Sequence, residues 1–215
     1  MNRLIQKVFL ACGLLLTLAA FPVFAQEKNP EINIMPFRDF TRTLKQQVDA
    51  GKIDLTKSFS VELEGVVTKD GRFDTKKSKF AKSEGDEVMI EAGKNFIIAV
   101  GDSGFLQYLK SFGVEKINLT LVQDEKQIYS NIDSELETEQ RAKAISSMLN
   151  TAVQMVRAKK DEMKNMREDE RILINGLTAT SSGKTLVIKA AYEKSVIQEL
   201  INRQLKEIEV KQSGE

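Results

Sequence analysis

The chain of 215 residues contains no histidine and no tryptophan, and only one cysteine and three prolines. Histidine is the commonest general base and metal ligand near neutral pH, so its absence excludes the usual triads of serine and cysteine hydrolases and most zinc sites. The single cysteine, Cys12, lies in an apolar N-terminal run, so the rest of the chain cannot form a disulfide. These absences predict a protein that is not an enzyme and that binds no metal ion or other cofactor.

The first 25 residues have the three parts of a secretory signal peptide. Arg3 and Lys7 precede an uncharged stretch, Val8–Ala25, and small side chains at Val23 and Ala25 suit signal peptidase. We expect cleavage after Ala25 and export to the periplasm. The alternative is an uncleaved anchor in the inner membrane, because the uncharged stretch just reaches the length of a spanning helix, about 17–25 residues.

Removal of the signal peptide takes two of the 32 basic residues, which leaves 30 basic against 31 acidic residues and a net charge of −1. A nearly neutral chain is not typical of proteins that bind nucleic acid, so no nucleic-acid partner is expected. A membrane contact is expected only if the N-terminal segment stays uncleaved.

The organisation of the mature chain follows from its hydrophobic periodicity. Residues 26–57 form an N-terminal segment with a short amphipathic helix from Phe37 to about Ala50. Residues 58–113 then form a hairpin followed by a helix, and residues 114–215 contain two further units of this ββα kind. Three such units predict an α+β fold with a mainly antiparallel sheet and its helices on one face.

The first unit carries the candidate binding site. Phe59, Val61 and Leu63 alternate with polar residues, and Asp70-Gly71 is a typical hairpin turn. The return strand, residues 72–82, is rich in lysine and poor in apolar residues, as edge strands are. The predicted partner-binding residues are Phe73, Lys76, Lys77, Ser78, Lys79 and Phe80.

An exposed edge presents unpaired backbone groups to which a partner strand can add. We expect pockets near Phe73 and Phe80 to give specificity and the lysines to tune partner choice. A proline at Ser78 is expected to weaken capture if the N–H of that residue points outward.

The second and third units contain helices with apolar faces. Thr138 starts the first of these helices, and Ser195 is expected to cap the last one. The third hairpin is expected to begin near Arg171. Methionines extend the apolar side of the second helix, and we expect them to fill the core: Met148, Met155, Met163 and Met166.

Three motifs suggest chemistry but have plainer readings. "GDSGF" at 101–105 resembles the nucleophile signature of trypsin-like proteases, yet Ser103 has no histidine to serve it and is expected to cap a short helix. "SSGKT" at 181–185 lacks the first glycine of a phosphate-binding loop and predicts a hairpin turn. A run of carboxylates predicts a solvated surface rather than a cation site: Asp133, Glu135, Glu137 and Glu139.

Residues 61–109 resemble the C-terminal domain of TonB-type energy transducers. The matching features are Asp70-Gly71 at the turn, and Ala92, Ala99 and Leu106 in the helical stretch. The resemblance implies a periplasmic domain that offers a sheet edge to a short peptide of an outer-membrane receptor.

Three functions remain open at this point. The first is a non-enzymatic cell-envelope protein that binds a protein or peptide by strand addition. The second is a membrane-anchored component of a TonB-type energy transducer. The third is a periplasmic carrier of an apolar ligand held between sheet and helices, suggested by the methionines and phenylalanines of the helical layer.

Overall fold

The computed structural model describes residues 32–158 and 168–212. The described helices are α1 (Met35–Asp49), α2 (Glu87–Asp102), α3 (Gln107–Ser111), α4 (Glu139–Ala158), α5 (Glu168–Asn175) and α6 (Lys194–Gln212). The described strands are β1 (Phe59–Val66), β2 (Lys79–Gly85), β3 (Lys116–Gln123), β4 (Gln127–Glu135), β5 (Leu177–Ser182) and β6 (Thr185–Glu193). The predicted signal peptide, residues 1–25, and the predicted core residues Met163 and Met166 lie outside the described residues.

The strands form one six-stranded sheet in the order β2-β1-β3-β4-β6-β5, and every neighbouring pair is antiparallel. The predicted α+β class with a mainly antiparallel sheet is therefore confirmed. Hairpins pair β1 with β2, β3 with β4 and β5 with β6, and the pairs β1–β3 and β4–β6 join them. The two edges of the sheet are β2 and β5.

One face of the sheet carries the core. Side chains alternate across a strand, and the buried residues of neighbouring strands stand opposite each other, as Leu63, Leu119 and Ile132 do in one row. These residues form one apolar cluster with buried helix residues such as Ile97 of α2 and Leu149 of α4. Helix α2 packs near β1 and β2, and α4 packs near β5 and β6.

Of the two predicted helix starts, Thr138 and Ser195, only Thr138 agrees with the structure. The hydroxyl of Thr138 accepts a hydrogen bond from the Arg141 N–H at 3.1 Å, so it caps α4 as expected. Helix α2 is capped by Asp86, whose carboxylate accepts from the Met89 N–H at 3.0 Å. Ser195 is not a cap, because α6 already begins at Lys194.

The start of the third hairpin was predicted wrongly. Arg171 lies in α5, and β5 begins only at Leu177. A short apolar run is compatible with a helix or a strand, so its periodicity could not decide. The chain leaves α5 at Gly176, beside the Tyr192 ring. A side chain is excluded there, because a Cβ at this position would stand 2.1 Å from that ring. The Tyr192 hydroxyl donates to the Leu173 carbonyl at 2.8 Å, and burial raises the pKa of this phenol.

Candidate functional site

The β5 edge is closed by side chains of α4. The Asn150 amide donates to the Ala179 carbonyl and accepts from the Ala179 N–H at 2.9 Å, so it takes both outward backbone groups of that residue. The hydroxyls of Ser146 and Ser181 lie 3.4 Å apart. Asn150 therefore occupies the place that a neighbouring strand would take.

Arg157 continues this closure about two turns further along α4. Its Nη2 donates to the Leu177 carbonyl at 3.2 Å and to the carbonyls of Ile174 and Asn175 at 2.9 and 3.0 Å. The last two carbonyls belong to the C-terminal end of α5, where helices have unsatisfied acceptors and favour a cation. One guanidinium thus satisfies both a helix end and a strand edge.

The helix and the strand match in spacing. Four residues of helix rise by about 6 Å, and two residues of strand advance by about 6.8 Å. Side chains four apart on α4 therefore meet alternate residues of β5, which are the ones whose backbone groups point away from β6. At this spacing Ser146 faces Ser181 and Asn150 faces Ala179. Arg157 lies seven residues after Asn150, and its longer side chain reaches Leu177.

The β2 edge has no such cover among the described residues. Every residue from Ala81 to Gly85 is exposed, and β2 pairs only with β1. The pairing shifts register between Glu62 and Leu63, which face Lys82 and Phe80, so Ala81 is an extra residue that forms a β-bulge. The strand is short, bulged and rich in lysine, and these are features that limit unspecific pairing of an edge.

The direction of the β2 backbone groups follows from one hydrogen bond. The Asp86 N–H donates to the Ser58 carbonyl at 3.1 Å and so faces β1. Directions alternate along an antiparallel strand, so Glu84 also faces β1, while the N–H and C=O groups of Ser83 and Gly85 point outward. Ser83 is the central residue of the open edge.

The predicted edge, residues 72–82, is misplaced in its first half. Residues 75–77 form a turn, and β2 begins at Lys79. Asp74 explains the turn, because its carbonyl accepts from the N–H groups of Lys77 and Ser78 at 3.1 and 2.8 Å, and its carboxylate accepts from Lys76 N–H at 3.0 Å. The N–H of Ser78 therefore does not point outward, and the condition set for a proline at this position is not met.

Ser78 was predicted to bind a partner, but in the structure it holds the end of β1. Its hydroxyl accepts a hydrogen bond from the Val66 N–H at 3.0 Å. Val66 is the last residue of β1, and β2 has no backbone group opposite it in the ladder. The Ser78 side chain thus extends the contact to Val66, two residues past Glu64, where the β1–β2 ladder ends.

Phe73 and Phe80, the two aromatic residues predicted to bind a partner, have different surroundings in the structure. The ring of Phe73 is wedged between glycines, because a Cβ at Gly65 would lie 2.8 Å from it and a Cβ at Gly101 2.3 Å. Phe73 therefore packs the loop onto the body of the protein. Phe80 lies on β2, half-buried, with the Lys94 ammonium 5.6 Å from its ring centre. Of the two, Phe80 is placed to contact an added strand.

The lysines of the edge are matched by carboxylates of the same hairpin. Lys79 lies 3.0 Å from Glu64, and Lys82 lies 4.0 Å from Glu62. Lys77 lies 3.5 Å from Asp74. These pairs are exposed and contribute little stability, but they leave the edge close to neutral.

The remaining motifs have structural roles. Ser103 is 1% exposed, donates to the Val100 carbonyl at 2.6 Å and accepts from the Phe105 N–H at 3.1 Å. It lies at the end of α2 rather than at the start of α3, whose first flanking residue is Leu106, so the predicted position of this cap was wrong. Residues 183–184 form the turn between β5 and β6, as predicted for "SSGKT".

The four carboxylates of the predicted run do not share one environment in the structure. Asp133 is half-buried on the sheet face opposite the core, and burial together with the nearby Glu62 raises its pKa. Glu135, Glu137 and Glu139 are exposed. Among the described residues, no three acidic, cysteine or histidine side chains are placed to hold a metal ion together.

Two spaces lie among the helices. A partly open cavity of about 100 Å³ lies between α1, α2, α6 and the core face of the sheet. A larger groove of about 570 Å³ runs between α1 and α2. Met155, one of the predicted core methionines, is 54% exposed on α4 and takes no part in either space.

Comparison with models of known protein families, with curated proteins and with solved structures finds no match to this chain. The resemblance of residues 61–109 to TonB-type transducers therefore stays a prediction from the sequence. In the part of the chain that the structure describes, no helix has the length and apolar character needed to cross a membrane.

Proposed function

We propose that this protein is a non-enzymatic component of the cell envelope that captures a peptide or protein by strand addition at β2. The observation that carries the proposal is the unequal treatment of the two sheet edges. At β5 the outward N–H and carbonyl of Ala179 and the carbonyl of Leu177 are bonded to side chains of α4. At β2 those of Ser83 and Gly85 have no partner among the described residues.

The proposed contact is short. Between the bulge at Ala81 and the turn into α2, Ser83 and Gly85 offer two outward N–H groups and two outward carbonyls. Main-chain hydrogen bonds to these groups supply affinity, and side-chain contacts beside the strand supply specificity. Phe80 and Lys94 form the nearest apolar and cationic surface for such a contact.

The charges at the β2 edge affect the choice of partner more than the binding affinity. Because Glu62 and Glu64 neutralise Lys82 and Lys79, the edge attracts an acidic partner only weakly. Exposed charges of this kind influence the association rate and the rejection of wrong partners more than the affinity.

The proposed location is the periplasm, after cleavage following Ala25. In the alternative, the N-terminal segment stays uncleaved and the protein works at the inner membrane as part of a TonB-type transducer. N-terminal sequencing of the protein released by osmotic shock distinguishes the two. A sequence that begins at Gln26 supports export, whereas membrane-bound protein that begins at Met1 supports the anchor.

Site-specific photocrosslinking in intact cells tests the edge. A photoreactive amino acid at Lys82 is expected to trap a partner, whereas the same group at Thr180, an exposed residue of the closed edge, is expected to trap none. The partner is then identified from the adduct. Equal yields of adduct at both positions contradict the proposal.

Two prolines on β2 refine this test. Proline at Ser83 removes an outward N–H and is expected to abolish the adduct while it changes the free energy of unfolding by about 0.5 kcal/mol or less. Proline at Glu84 removes a ladder hydrogen bond to β1 and is expected to destabilise the protein by about 1–3 kcal/mol. An undiminished adduct in a folded Ser83→Pro protein shows that the partner docks elsewhere.

A further inference from the structure

The small cavity is apolar in its chemistry. Its walls include the side chains of Phe59, Met89 and Leu121. Among the described residues Gln123 is the one polar residue in the wall, and its Nε2 already donates to the carbonyls of Leu55 and Lys57 at 2.8 and 2.6 Å. No side-chain donor in the wall is left for a polar ligand, so the cavity suits a hydrocarbon group.

The size of the cavity limits that group. A cavity of about 150 Å³ lined by apolar side chains binds benzene, which has six carbon atoms. By that ratio the present cavity of about 100 Å³ accommodates roughly four carbon atoms.

The groove adjoins the cavity. Phe40, Leu44 and Ala92 line both spaces, and the Phe40 ring rests on Phe96 with 5.7 Å between ring centres. The groove also contains an exposed apolar side chain, Ile98, which is 46% accessible. The two spaces are therefore neighbours, and these side chains form the wall between them.

Among the described residues, the rest of the groove wall is polar, its ionisable residues are Asp39 and Asp102, and no lysine or arginine lines it. Asp39 lies 3.5 Å from Arg42, which is outside the wall. Asp102 is the last residue of α2, where the carbonyl ends of the helix already favour a cation.

We propose that the groove and the cavity together bind a small amphiphile with a cationic head, whose hydrocarbon end passes Ala92 into the cavity and whose ammonium group lies in the groove near Asp102. The site is separate from the β2 edge, so it does not depend on strand addition. It selects an alkylammonium compound over a carboxylate of equal length, because an anionic head at this position meets the Asp102 carboxylate and the carbonyl end of α2.

An NMR titration of the full chain with n-hexylamine and n-hexanoate tests the assignment. The methyl signals of Ala92 and Ile98 are expected to shift saturably with n-hexylamine, with a Kd of about 1 mM or lower, as a ligand of this size allows. Binding of n-hexanoate is expected to be at least fivefold weaker. Absence of a saturable shift with n-hexylamine, or equal Kd values for the two probes, overturns the proposal.

Two substitutions locate the ligand. Ala92→Leu fills the passage between groove and cavity and is expected to weaken n-hexylamine binding at least tenfold. Ile98→Asn changes only the groove wall and is expected to weaken it about threefold. Val88→Asn is the matched control, since Val88 is 44% exposed on the same helix but lines neither space.

The controls keep the outcome decisive if Ala92→Leu does not fold. In that case the comparison of Ile98→Asn with Val88→Asn decides, and equal Kd values for these two variants overturn the proposal. Unchanged binding by a folded Ala92→Leu protein overturns it as well.

Discussion

The two edges of the sheet differ in what lies beside them more than in their own sequences. Both strands are short and largely polar, "KFAKSEG" for β2 and "LTATSS" for β5. Beside β5 runs α4, which directs polar side chains at the backbone of the strand, whereas no described side chain of α2, the helix that packs near β2, bonds to the outward backbone groups of that strand. The difference teaches that a helix closes a sheet edge only when it directs hydrogen-bonding side chains at the backbone.

The largest expected effect is at the closed edge. Asn150→Ala removes both side-chain partners of the Ala179 backbone, and we expect a loss of about 2 kcal/mol in the free energy of unfolding, measured with urea. Asn150→Asp is the matched control, because a carboxylate still accepts from the Ala179 N–H but no longer donates to its carbonyl. A change below the error of the measurement in Asn150→Ala contradicts the account of this edge.

Arg157 tests whether the closure also holds the end of α5. Arg157→Met keeps the aliphatic stem but loses the donors to three carbonyls, and we expect a loss of about 1–2 kcal/mol in unfolding free energy. Hydrogen exchange should rise at Tyr192 and at residues near Leu177. Arg157→Lys retains the charge with fewer fixed donors, so full rescue by lysine assigns the effect to charge rather than to the fork of the guanidinium.

Ser78 provides a test of stability next to the open β2 edge. Ser78→Ala leaves the Val66 N–H without its acceptor, and we expect a loss of about 1 kcal/mol in unfolding free energy. Ser78→Pro also removes the N–H that donates to Asp74, so it should cost more than alanine does. If proline and alanine have equal effects on urea unfolding, the hydrogen bond to Asp74 contributes nothing.

The smallest expected effect on stability is at the edge lysines. Lys82→Ala removes an exposed pair with Glu62 and should change the unfolding free energy by about 0.5 kcal/mol or less. The same variant should self-associate more readily in sedimentation velocity, because lysines oppose edge-to-edge pairing. Thr180→Ala, on the closed edge, is the control and should sediment as the unmodified protein does.

Local patterns in the sequence predict much of the sheet. Phe59, Val61 and Leu63 alternate with polar residues and lie in β1 with their side chains buried, as their period of two requires. The α+β class and the antiparallel pairing follow from hairpins with recognisable turns. These features depend on neighbours in the chain, which a single sequence displays directly.

Features that depend on distant partners were not predicted. Asn150 lies four residues after Ser146 and seven before Arg157, so a polar stripe beside the apolar face of α4 was available as a signal. Such a stripe is usually solvent-facing, and only the position of β5 gives it a partner. The turn at residues 75–77 was missed because Asp74, which nucleates it through its side chain and its carbonyl, stands inside a lysine-rich run that is typical of edges.

The strand order has a consequence for the growth of the chain on the ribosome. Each hairpin is local in sequence, and each later one adds beside a strand already made, β3 beside β1 and β6 beside β4. Contacts of this kind permit folding in stages as the chain emerges. Helix α4 is synthesised before β5, so the side chains that close the last edge are available before that edge exists, whereas β4 and β5 both wait for β6.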